Sequence, residues 1–132
     1  MLKKEHLETL EVWAQSKGYL VYIETDGDDT VDLENKIIMI KSTASLETKI
    51  MTLSHECGHV LLHENDSFEI RKISTSGDKK TKLSKVFTVI EEIEAWKRGL
   101  TLCRRLGIPI ERVKWERAVA NAIDKYMRWA TE

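Results

Sequence analysis

Apolar residues recur in this chain at two spacings. Leu2, His6, Leu7, Leu10, Trp13 and Ala14 return every three or four positions and predict a helix over 2–17, with Gly18 placed to end it. Tyr19 to Ile23 is a short run of strand formers. Asp26-Gly27, with Asp28 and Asp29 behind it, predicts a hairpin turn. Val31 to Leu33 is then a short second strand, and Lys36 to Lys41, carrying Ile37, Ile38 and Ile40, a third. Helical spacing resumes after Ser42, Thr43 and Ser45, all good N-caps, with Glu47 placed to close a capping box. This helix is expected from about Leu46 to His63. Polar residues and lysines crowd residues 64–82, which reads as a mobile loop. A long helix from about Lys85 to Leu106 follows, stopped by Gly107 and Pro109. The last helix, about Ile110 to Ala130, lines up Val113, Ala118, Val119, Ala122, Ile123 and Met127 on one face. The expected class is α+β: a mostly helical domain with a small three-stranded sheet packed on the second helix.

Length and composition narrow this further. At 132 residues, with 42% hydrophobic and 33% charged positions, the chain suits one globular domain over 1–132, the last helix packing on the rest. Apolar runs such as Ile37 to Ile40 are far too short for a bilayer, so no membrane partner is expected. Charged residues break up the first turn of the chain, so no secretory signal is expected there. Two cysteines, Cys57 and Cys103, make no disulfide framework; the expected compartment is the reducing cytoplasm. The net charge of -1 conceals a gradient, from -6 over residues 1–35 to +5 over residues 97–132. Arg104, Arg105, Arg112, Lys114, Arg117 and Arg128 would be the contacts of a DNA-binding protein. Acids are interspersed among them, so they read as a solvated face and no nucleic-acid partner is expected. The acidic stretch from Asp26 to Glu34 fails as a calcium loop, because Val31 and Ile37 stand where Gly and Glu are required.

His55-Glu56-Cys57-Gly58-His59 is an H-E-x-x-H motif in the second helix. Residues four apart share a helix face about 6 Å apart along the axis, so two imidazoles can converge on one tetrahedral ion. Glu56, one residue on, is offset from that ion and can reach a bound water as general base. The competing reading is a pair of core histidines satisfied by hydrogen bonds. A catalytic zinc needs a third protein ligand. His63 continues the four-residue step but lies about 12 Å along the axis from His55, too far for one ion. The third helix offers Glu91, Glu92 and Glu94; Val89, Ile93, Trp96 and Leu100 mark its apolar face, and Glu92 is the acid best placed to point inward with them. The same three acids also suit a solvated face.

Residues 51–63, Met-Thr-Leu-Ser-His-Glu-Cys-Gly-His-Val-Leu-Leu-His, resemble the zinc helix of the ImmA/IrrE-like metallopeptidases. The resemblance extends over about residues 19–100. It implies a gluzincin-like site in a zincin-like domain, the third ligand being a Glu in an E-x-x-A context. Glu92-Ile93-Glu94-Ala95 matches that context and takes the ligand role onto Glu92. The strand Ile37 to Ile40 is similar to the family's edge strand before the zinc helix. After Ala95 the chain departs from the pattern: Trp96-Lys97-Arg98-Gly99 stands where relatives commonly carry Asn or Asp and then Phe-Ala. The resemblance also implies cleavage of a regulator, often in phage or mobile-element biology.

The expected function is therefore a zinc metallopeptidase with a protein or peptide substrate. His55, His59 and Glu92 hold one Zn²⁺, Glu56 is the catalytic base, and substrate lies along the strand Lys36–Lys41. His63 and Tyr126 are candidates for the oxyanion donor. The alternative is a zinc-containing binding or regulatory module without peptidase activity. Cys57, Cys103 and the tryptophans Trp13, Trp96, Trp115 and Trp129 read as packing residues.

Overall fold

A computed structural model of the chain describes residues 1–24, 27–64 and 82–132. In chain order the elements are α1 (Lys4–Ser16), β1 (Leu20–Glu24), β2 (Thr30–Asp32), β3 (Ile37–Lys41), α2 (Leu46–Glu64), α3 (Lys82–Arg105) and α4 (Arg112–Thr131). The class is α+β, as the periodicities predict. Each described element lies within a few residues of its expected bounds. The loop expected over 64–82 falls outside the described residues, apart from its two ends.

The sheet differs from expectation in its order, β1-β3-β2. β1 runs parallel to β3, pairing Leu20 with Ile37, and β2 runs antiparallel to it, pairing Val31 with Ile38. β1 and β2 are therefore not neighbours and form no hairpin with each other; Asp26 of the turn expected at Asp26-Gly27 lies outside the described residues. The hairpin joins β2 to β3 instead. Asp32 builds its turn: its carboxylate accepts from the backbone N–H of Asn35 at 2.9 Å and from the Asn35 side-chain amide at 2.8 Å. These bonds hold the Asp32 carboxyl below its ordinary range. Asp29 accepts from the Lys41 N–H at 2.8 Å. Both carboxylates thus serve the backbone. Nor is β3 an edge strand: it is the central one, paired on both sides, and its Ile38 and Ile40 are buried in the core.

α1, the sheet and α2 share a core of Leu7, Leu10, Ala14, Ile38, Ile40, Ile50, Leu53, Cys57 and Val60. Ser45 caps α2 through the Thr48 N–H at 3.2 Å. Thr48, not Glu47, completes that cap with a 3.0 Å bond between the two hydroxyls, while Glu47 reaches Lys114 of α4 at 3.3 Å.

α2 and α3 cross at unusually close range because each presents a glycine to the other. A Cβ on Gly58 would run into the Ala95 carbonyl, and one on Gly99 into the Ser54 carbonyl. The buried face of α3 is accordingly Glu92, Ala95, Trp96, Gly99, Leu102 and Cys103. That face is turned from the expected one, since Ile93 and Leu100 lie beside α4 instead. Small residues take the contact because the backbones meet there. α4 is also less buried than its pattern suggests. Trp115 is its one buried residue, while Val113 and Met127 are 60% and 55% exposed. Two of its cations pair along the helix, Arg112 with Glu116 at 2.8 Å and Arg128 with Asp124 at 3.0 Å. Among the described residues no helix is long and apolar enough to cross a membrane.

Candidate metal centre

His55 and His59 sit one turn apart on α2, and the close crossing brings Glu92 of α3 directly over them. His55 Nε2 lies 3.1 Å from Glu92 Oε1, and His59 Nε2 lies 2.9 Å from Glu92 Oε2. Each carboxylate oxygen thus faces one imidazole nitrogen. The side chains are 12%, 12% and 9% exposed, respectively. One ligand atom from each of the three lies within 4.8 Å of the others.

This arrangement fits a small divalent cation. Tetrahedral ligands with bonds of about 2.0–2.1 Å stand about 3.3 Å from one another. The two nitrogen–oxygen separations need to open by only a few tenths of an ångström to admit such an ion. Two imidazoles and a carboxylate form a donor set suited to zinc. The electrostatics agree that a positive charge belongs here. Burial works against charge on His55, yet the carboxylates of Glu56 and Glu92 outweigh it and hold His55 up at about 9. Burial would raise Glu92, but its bonds to His55 and His59 reverse the sign and bring it down to about 2.

Glu56 is buried at the margin of the cluster, with Oε1 3.4 Å from His55 Nδ1. The three expected metal residues and the expected base are thus brought together. His63 is not part of the cluster. Cys57 points into the core, and burial pushes its thiol up. Cys103 is buried too, its sulfur 2.8 Å from the Ser54 hydroxyl.

A cleft of about 450 Å³ opens over the cluster. One wall is Thr30 and Val31 of β2, and the other is Ala122 and Tyr126 of α4. Burial, then the charge of Glu92 and a hydrogen bond to it, push the Tyr126 phenol up to about 12. Trp96 forms part of the lining and stacks on His55, with ring centroids 4.3 Å apart and planes 10° from parallel. The β2 wall was not legible in the sequence, because it depends on the strand order. Nor was the Trp96–His55 stack, whose one trace was the departure from the family pattern at that position.

Comparison with curated proteins finds no match, and comparison with solved structures finds none. The family model of the IrrE N-terminal-like domain, a peptidase family, matches residues 14–85. That segment carries the sheet and the whole H-E-x-x-H helix and ends before Glu92, so the place of Glu92 rests on the geometry of α3. More than half of the chain is matched, and the chain belongs to the ImmA/IrrE-like family.

Proposed function

We propose that this chain is a zinc-dependent peptidase acting on a protein or peptide, with His55, His59 and Glu92 as the three metal ligands. The observation that carries the reading is the convergence of both Nε2 atoms on the two oxygens of one buried carboxylate, with Glu56 Oε1 3.4 Å from Nδ1 of the same His55 ring. Zinc bound there would supply Lewis acidity toward water and the scissile carbonyl. Glu56 takes the proton of the attacking water on its carboxylate and returns it to the leaving amine. Its burial keeps that carboxylate from being solvated by bulk water.

The substrate cannot add to β3, which has no open side. β2 is the edge strand flanking the cleft, and an extended segment would pair with its outer edge and pass over the cluster. Tyr126 is the hydroxyl on the opposite wall and the better placed of the two oxyanion candidates, since His63 is outside the cluster. The family resemblance favours a regulator or repressor as substrate. Two buried cysteines without a disulfide suit the cytoplasm.

The test is metal analysis of the purified chain together with a cleavage assay on candidate repressors, comparing wild type with Glu56→Gln. One zinc per chain in both proteins, with cleavage only by wild type, is the expected result. A chain that takes up no zinc, or a Glu56→Gln protein that cleaves as fast as wild type, refutes the reading. Zinc uptake with no cleavage of any candidate favours the non-catalytic zinc module.

A further inference from the structure

We infer that Trp96 is a positioning residue for the metal centre: its indole face holds the His55 ring in the orientation a cation needs. The inference rests on the proposed metal role of the cluster and adds a component to it.

A metal-binding histidine must be fixed in rotation about its Cβ–Cγ bond, and proteins usually do this through a hydrogen bond from the nitrogen that does not touch the metal. In His55 the nitrogen facing Glu92 is Nε2. The other, Nδ1, meets Glu56 Oε1 at 3.4 Å, beyond the usual length of an N–H···O bond. Glu56 is also the group assigned to move protons. The firm contact on the ring is its face. The indole of Trp96 lies against it with centroids 4.3 Å apart and planes 10° from parallel. Rotation of the imidazole out of that plane would drive its edge into the indole.

Trp96 is itself immobilised. It is 7% exposed, and Trp115 of α4 packs edge-on against it at 5.2 Å and 77°. Among the described residues its Nε1 has no hydrogen-bond partner. The indole meets His55 through its face. Glu92 and Trp96 are four residues apart, so one turn of α3 presents both the carboxylate and the stacking surface. The negative face of an indole also favours an imidazole that carries positive charge, as a metal-bound ring does. Trp115 extends the stack to α4, a helix outside the family-matched segment.

The test uses the full chain and Zn²⁺ itself, with affinity measured by competition against a chromophoric chelator at fixed pH. Trp96→Phe keeps an aromatic face, and Trp96→Leu keeps apolar bulk without one. Affinity of Trp96→Phe is expected within about threefold of wild type, and that of Trp96→Leu to fall about tenfold or more, the range seen when a ligand loses its orienting neighbour. Circular dichroism on both variants checks that they fold. A second measurement needs no variant. In the proton NMR spectrum of the zinc-loaded wild type, the His55 ring protons should be shifted upfield by the indole ring current. Equal zinc affinity in the Phe and Leu variants, or His55 ring protons at ordinary positions in the loaded protein, overturns the inference. If Trp96→Leu does not fold, the ring-proton shifts decide alone. Failure of wild type to bind zinc at all overturns the metal reading instead, and is seen before any variant is made.

Discussion

Gly58 of α2 lies against the carbonyl of Ala95 in α3, with no room between them for even a methyl group. The reciprocal contact, Gly99 against the Ser54 carbonyl, sits about one turn further along. These two contacts set the distance between the helices and so place Glu92 within 3.1 Å of His55 and 2.9 Å of His59. Gly58→Ala and Gly99→Ala are expected to destabilise the chain by about 1–3 kcal/mol each, toward the upper end because the obstacle is backbone rather than a movable side chain. Urea unfolding measures this. Both variants should also bind zinc more weakly, since α3 must retreat. An alanine variant as stable and as zinc-competent as wild type would show that the crossing has slack.

The three proposed ligands can be separated from the nearby histidine by metal binding alone. His55→Ala and Glu92→Ala are each expected to lower zinc affinity by more than the roughly 10–100-fold typical of losing an orienting neighbour. His63→Ala should leave it unchanged, because His63 is outside the cluster. Chelator competition on the three proteins gives the comparison. A large loss in His63→Ala would reassign the third ligand.

Stability of the metal-free chain should depend on pH through the same cluster. His55 is raised from 6.5 to about 9 on folding, so its contribution is complete below pH 6.5 and disappears as pH climbs through 9. Glu92 is lowered from 4.5 to about 2, so its contribution is present above pH 4.5 and disappears as pH falls through 2. With a chelator present, the urea midpoint should therefore decline between pH 6.5 and 9. His55→Ala should flatten that decline, and so should zinc, which takes the place of the proton. A metal-free midpoint that rises over this interval contradicts the assignment.

Both thiols should be inert in the native protein. Cys57 and Cys103 are fully buried, and burial pushes each thiol above its ordinary value, which leaves little thiolate to react. A colourimetric thiol reagent is expected to label neither cysteine in the folded chain and both in guanidinium. Rapid labelling of one in native buffer would mean that the core around α2 opens.

Much of this protein was written locally. The 3.6-residue spacing of Leu7, Leu10 and Ala14, the Ser45 cap and the four-residue step from His55 to His59 are properties of short segments, and the folded chain keeps all of them. Glu92 was also legible, as the one acid of three that could share the inward face of its helix. What tertiary structure decided were relations between segments. The order β1-β3-β2 made Thr30–Asp32 the edge beside the cleft, although substrate was expected along Lys36–Lys41. A central strand needs apolar residues because it is covered, and hydrophobicity alone does not tell a covered strand from an edge. The face of α3 turned toward Ala95 and Gly99 because backbones approach where side chains are smallest, which no single-helix pattern reports. Trp96 looked like core filling. Only the crossing of α2 and α3 laid its ring on His55.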